Sequence, residues 1–147
     1  GLRGARVAAC DFEPDMAIVV DSTPAFDLPM LENEAENTLY NCRLGAGPAI
    51  YLADAGTLSD PRLIRYLAKL AEEHHIPYQF RQPGGGGTDA GAIHVNRGGV
   101  PSVSVSIPGR YAHSPILHAK LADWENTLSL LHMVIEKADR SILSIDR

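Results

Sequence analysis

The sequence lacks any apolar run near the roughly 20 residues that a membrane-spanning helix needs, so a membrane partner is not expected. It also lacks a basic excess. Thirteen Lys and Arg stand against 18 Asp and Glu, the net charge is -5, and only Arg3 and Arg6 cluster. Neutralising nucleic-acid phosphates takes a basic stripe or patch, so no nucleic-acid partner is expected. The two cysteines, Cys10 and Cys42, lie far apart with no CxxC spacing. They read as reduced thiols of a cytoplasmic protein, with a disulfide or a metal pair as the alternative. Aromatics are sparse, with one Trp and five Tyr, and no paired carboxylates flank an aromatic platform. Sugar cleavage is therefore disfavoured. No charged and then apolar leader opens the chain, and Gly1 stands where a natural start would carry Met.

What is present suits a globular fold. The 147 residues are 45% apolar and 21% charged, enough to bury one domain's core. Ala17-Ile18-Val19-Val20 reads as a buried strand ending at Asp21. From Ser22 to Arg43 prolines and asparagines predict a long loop. A second strand is predicted over residues 48–53. Asp60-Pro61 then opens a helix, with Leu63, Ile64, Leu67, Leu70 and Ala71 on one face and Pro77 as its stop. Residues 78–81 alternate as a strand. Gly84 to Gly87 predict a tight turn feeding a helix that is capped near Thr88 or Asp89 and contains His94. Residues 101–107 alternate strictly, with Val103, Val105 and Ile107 on one side and small serines on the other. Asp123 is expected to cap a long helix whose apolar stripe is Trp124, Leu128, Leu131, Ile135, Ala138 and Ile142. Strands alternating with helices predict an α/β sandwich around a mixed or parallel sheet. Sites in such sheets form at the carboxyl ends of strands.

Three features stand at those ends. Asp21 follows a strand, where a carboxylate can meet a metal or a substrate, though in isolation such a residue is more often a helix cap or a turn residue. His113 sits in a loop between prolines, which restricts its conformations and suits a metal ligand, though a surface His is the plain alternative. His74, His75, His94, His118 and His132 read as structural or solvated. The glycine run lacks the Lys-Ser/Thr of a phosphate loop and the preceding apolar strand of a dinucleotide fingerprint. Its bare backbone N–H groups could receive a carbonyl or carboxylate, or it could simply turn.

Three segments in this order, Gly1-Leu2-Arg3-Gly4-Ala5 with the strand to Asp21, GGTDAGAIH from Gly86 to His94, and Arg110-Tyr111-Ala112-His113-Ser114, resemble the M42 metallo-aminopeptidases. The family holds glutamyl, deblocking and tetrahedral aminopeptidases. Leu44 to Ile50 and the helix from Asp60 fit it too, so the likeness runs over nearly the whole chain. It implies an α/β/α sandwich of the zinc-exopeptidase type. It also implies two divalent ions, zinc or cobalt, that activate a water to release N-terminal residues from peptides. Five side chains hold the ions in that family: a His, a bridging Asp, a Glu, an Asp after a strand and a late His. Asp21 matches the fourth and His113 the fifth. Gly86, Gly87, Thr88 and Asp89 would help shape the substrate pocket. Large homo-oligomers, often of twelve subunits, are implied as well.

The resemblance also sets out what residues 1–147 do not carry. The first His, the bridging Asp and a Glu-Glu pair holding the general base and the third ligand precede the string that begins at Gly1. Residues 1–147 are thus expected to be the C-terminal part of the catalytic domain, with an incomplete sheet and an exposed edge. No catalytic base is expected within them, no tight metal binding by them alone, and no activity without the rest of the domain. The alternative is a truncated, non-catalytic relative that acts as an assembly module. The preferred N-terminal residue is open. An acidic preference would need a basic group in the pocket, such as Arg110 or an Arg of the first turn.

Overall fold

The computed structural model describes residues 1–28 and 41–144. Nine of its elements are named here in chain order: α1 Arg3–Phe12, β1 Ala17–Pro24, β2 Ala49–Tyr51, α2 Pro61–Glu73, β3 Gln79–Arg81, α3 Ala90–Ile93, β4 Ser102–Arg110, β5 His118–Ala119 and α4 Leu121–Lys137. A 3-10 turn, Arg140–Leu143, follows α4. The strands form one sheet in the order β1-β4-β2-β3, with β5 added alongside β4. β1 runs parallel to β4, and β2 parallel to β3, but β2 is antiparallel to β4. The sheet is thus mixed, as the alternation of elements predicted.

Each face of β4 meets a different helical layer. Val103 and Val105 pack with Ile50, with Leu63, Leu67 and Leu70 of α2, with Leu130 and Val134 of α4, and with Ile142. Each such fully buried aliphatic side chain contributes about 1.5–3 kcal/mol of transfer free energy. The serine face of β4 is buried as well, with Ser102, Ser104 and Ser106 at 2% exposure or less. Small hydroxyl side chains let the chain at Thr88 approach closely, and Thr88 Oγ1 and Ser104 Oγ share a hydrogen bond of 2.7 Å. α3 packs on this side against β1 and β4, and α1 packs on α3. The result is an α/β/α sandwich, as expected.

α2 begins as the sequence predicts. The Asp60 carboxylate accepts from Arg62 N at 2.9 Å, and Pro61 occupies the first turn. It ends earlier than expected, at Glu73. His75 adopts φ 54°, and Ile76 N turns back to Ala71 O, so the helix closes before Pro77 can stop it. α1 has no counterpart in the sequence reading, because its short apolar positions did not stand out from the polar residues between them.

α4 corrects the sequence reading twice. Its cap position is Lys120, with no side-chain cap bond. Asp123 is fully buried and accepts from Gly45 N at 2.7 Å and Gly47 N at 2.9 Å. The buried face is Asp123, Thr127, Leu130 and Val134. The predicted stripe lies one residue further on, about 100° around the helix, so Trp124, Leu128 and Ile135 point outward, Ile135 at 79% exposure. Anchoring the Gly45–Gly47 loop fixes the rotation of the helix, and the more apolar stripe is left in solvent.

β1 lies at the end of the sheet order; Val20 is half exposed, and Val7 and Phe12 of α1 are exposed as well. No described helix is long and apolar enough to cross a membrane.

Candidate functional site

A cavity of about 700 Å³ is lined by Asp21 and Ser22, by Tyr51 and Arg81, by Gly84 to Gly87, and by His113 with Leu117. Three features that the sequence singled out separately are therefore brought to one place. The rule of carboxyl strand ends does not account for it. Asp21 lies inside β1, which continues to Pro24, in register with Ser106 of β4. The glycine turn follows β3, whose direction opposes β4. Parallel pairing of β1 with β4 brings Asp21 near the loop that carries His113, and the turn after β3 folds across to meet them.

Asp21 and His113 are both exposed. One Asp21 oxygen accepts from Ser22 N at 2.7 Å, and among the described residues the other has no hydrogen-bond partner. His113 sits at φ 62° and Tyr111 at φ 65°, a left-handed conformation that is costly for residues with a Cβ. The loop after β4 thus holds the imidazole in an uncommon backbone setting. β5 pins the loop's return by pairing Gly109 with Ala119 and Arg110 with His118.

The glycine turn is held by groups that sequence reasoning missed. Asp54 Oδ2 accepts from Thr88 N at 3.2 Å and Thr88 Oγ1 at 3.1 Å, and Asp54 Oδ1 accepts from Gly56 N at 2.8 Å. Gly86, at φ 81°, accepts from Ala55 N at 2.8 Å. Gly86 and Gly87 line the cavity. Thr88 is buried behind them, and Asp89 faces a separate groove between α1 and β1. α3 has only four residues, Asp89 makes no side-chain cap bond, and His94 is its C-cap. His94 Nδ1 pairs with Ala90 O at 2.9 Å, a structural role.

Arg81 is the second group that was missed. It is 4% exposed, although the alternation of residues 78–81 would place an apolar residue inward. Instead Phe80 is exposed and Arg81 turns in over the Tyr51 ring, 4.4 Å from its centroid. Arg110, the basic residue considered earlier, is tied to Asp27 by an ion pair of 3.1 Å. Nearby, Cys42 is fully buried, and burial pushes its thiol up to about 12, against the opposing pull of the Arg81 charge. Cys10 is exposed and neither cysteine is in a disulfide.

For the divalent ions that the resemblance implies, the cavity wall offers one carboxylate, Asp21, and one imidazole, His113. These donor types fit zinc or cobalt. Among the described residues, however, no three His, Cys, Asp or Glu side chains come together to hold an ion. Asp21 and His113 by themselves are fewer than the about three protein ligands that a catalytic zinc takes.

The sequence pattern of the M42 glutamyl aminopeptidase family matches residues 1–130. An aminopeptidase structure from the archaeon Desulfurococcus kamchatkensis superposes with a TM-score of 0.90 at 38% identity, over 100% of this chain and 41% of that one. A lysyl aminopeptidase of Pyrococcus furiosus is 34% identical over 138 residues, covering 93% of this chain and 37% of the relative. A glutamyl aminopeptidase of Lactococcus lactis is 33% identical over 135 residues, covering 92% and 36%. The chain thus spans a little over a third of the length of these curated relatives. With its fold and the pattern match in agreement, the chain belongs to the M42 glutamyl aminopeptidase family.

Proposed function

We propose that residues 1–147 act as the C-terminal part of a metal-dependent aminopeptidase domain that removes N-terminal residues from peptides in the cytoplasm. The observation that carries this reading is the meeting of Asp21, His113 and the glycine turn, all distant in sequence, on one cavity. Asp21 and His113 each donate to a divalent ion, and the remaining ligands and the general base come from the preceding part of the domain. When bound, such ions polarise the scissile carbonyl and lower the pKa of water. The residues of this chain orient and enclose the substrate. Asp21 offers an open oxygen, His113 an imidazole held by its loop, and Gly84 to Gly87 a bare backbone against which a peptide can lie closely. Self-association belongs to the same proposal, with the outward stripe of Leu121, Trp124, Leu128 and Ile135 as a surface to be covered.

The test uses the full-length protein, stripped with a chelator and then titrated with zinc or cobalt in the presence of aminoacyl-anilides. Metal-restored release of the anilide is expected. The Asp21→Ala and His113→Ala variants should each lose more than about 100-fold in kcat/KM, since loss of groups that merely support ligands already costs 10- to 100-fold. A full-length protein that is folded and metal-loaded yet releases nothing would refute the reading and favour an assembly module.

A further inference from the structure

The glycine wall of the cavity has little packed around it. Among the described residues, a Cβ added at Gly85, Gly86 or Gly87 would meet no atom within 4 Å, and Gly86 takes φ 81°. Glycines facing open space keep more backbone freedom than any other residue. A wall against which a peptide lies has to stand still, so hydrogen bonds must hold it. Ala55 N donates to Gly86 O, and Thr88 donates to Asp54. The bond at Gly85 comes from Arg81, whose Nη2 donates to Gly85 O at 3.0 Å.

The other donors of Arg81 reach away from the turn. Nη1 donates to Ala53 O at 3.4 Å and Gln82 O at 3.2 Å, and Nε donates to Thr23 Oγ1 at 3.1 Å. Thr23 belongs to β1, the strand that carries Asp21. One guanidinium thus ties the glycine turn to the segment after β2 and to the Asp21 strand. Its fork is planar and rigid, and the Tyr51 ring lies against it, 4.4 Å from centroid to Cζ. Arg62 and Arg110 pair with carboxylates, but among the described residues the acceptors of Arg81 are all neutral. Here the charge neutralises no anion. It strengthens bonds that join separate segments behind the cavity wall.

We propose that Arg81 is a positioning residue of this site: it fixes the glycine turn at the spacing from Asp21 that a bound peptide backbone needs. The inference rests on the aminopeptidase reading above. Without the strap the turn samples other conformations, and each peptide has to order it on binding. Because the turn presents only backbone, that cost falls on every substrate alike, whatever its N-terminal side chain. It also falls on binding and not on the chemical step, since Asp21 and His113 are not among the partners of Arg81.

The metal-loaded full-length enzyme is assayed with the anilides of Glu, Leu and Lys, as wild type, Arg81→Ala and Thr23→Val. Arg81→Ala should raise KM by about tenfold or more on all three, the scale of one hydrogen bond to a charged group, with kcat and metal content nearly unchanged. Millimolar guanidinium should lower the KM of Arg81→Ala and leave that of wild type as it was. A lower kcat at unchanged KM, the signature of fewer folded or loaded molecules, overturns the inference. So does a KM rise confined to one substrate, which would place Arg81 on the substrate's side chain and not behind the turn. Thr23→Val keeps the guanidinium and removes one anchor, so its KM should rise in the same uniform way but less. An unchanged KM there overturns the inference even if Arg81→Ala does not fold. No cleavage of any substrate by wild type removes the aminopeptidase reading, and the inference with it.

Discussion

Cys42 shows how burial can dominate a residue's chemistry. The thiol is fully buried, and its pKa rises from 9.0 to about 12 because the thiolate is poorly solvated there. The native state therefore holds the proton more tightly than the unfolded chain does. The stabilisation is fully present below pH 9 and is lost as pH rises from 9 toward 12, where only the unfolded thiol ionises. In the native protein at pH 8, a thiolate-directed alkylating reagent should label the exposed Cys10 and spare Cys42, and unfolding should expose both. Mass mapping of labelled peptides checks this, and equal labelling of the two in the native state would contradict the burial. At this scale the sequence was informative where residue type and neighbours agree. Asp21 beside an apolar strand and His113 between prolines both reach the cavity. Arg81 and Asp54 were not legible, because their roles come from bonds to Thr23, Gly85 and Thr88, partners whose proximity exists only after folding.

At the scale of elements, α4 shows where periodicity stops being informative. A 3.6-residue pattern identifies a helix and its stripes, but it cannot say which stripe faces the sheet when a neighbouring stripe is also apolar. Here the deciding contact is the Asp123 carboxylate under Gly45 and Gly47, nearly eighty residues away. The two stripes consequently differ in energy. Leu130→Ala should destabilise the protein by about 2–5 kcal/mol, because it empties a site packed by α2 and β4. Ile135→Ala, at 79% exposure, should stay within about 0.5 kcal/mol in an unassociated chain. Chemical denaturation of both variants at low protein concentration measures the contrast, and a larger loss at Ile135 would mean that its face is already covered. α2 was legible because its cap, its first-turn proline and its apolar face all agree within one short segment.

At the scale of the whole molecule, the alternation of elements predicted the sandwich, but not its strand directions. Antiparallel pairing of β2 with β4 is set by contacts between distant segments, and it is this pairing that lets the turn after β3 meet Asp21 and His113 from another side. The same architecture leaves β1 at the end of the strand order, with Val20 half exposed. The central claim is that Asp21 and His113 hold divalent ions in one shared site, and metal content tests it most directly. Elemental analysis of the purified full-length protein should find about two zinc or cobalt ions per chain, with fewer in both Asp21→Ala and His113→Ala variants that remain folded. Metal content unchanged in both variants would contradict the account.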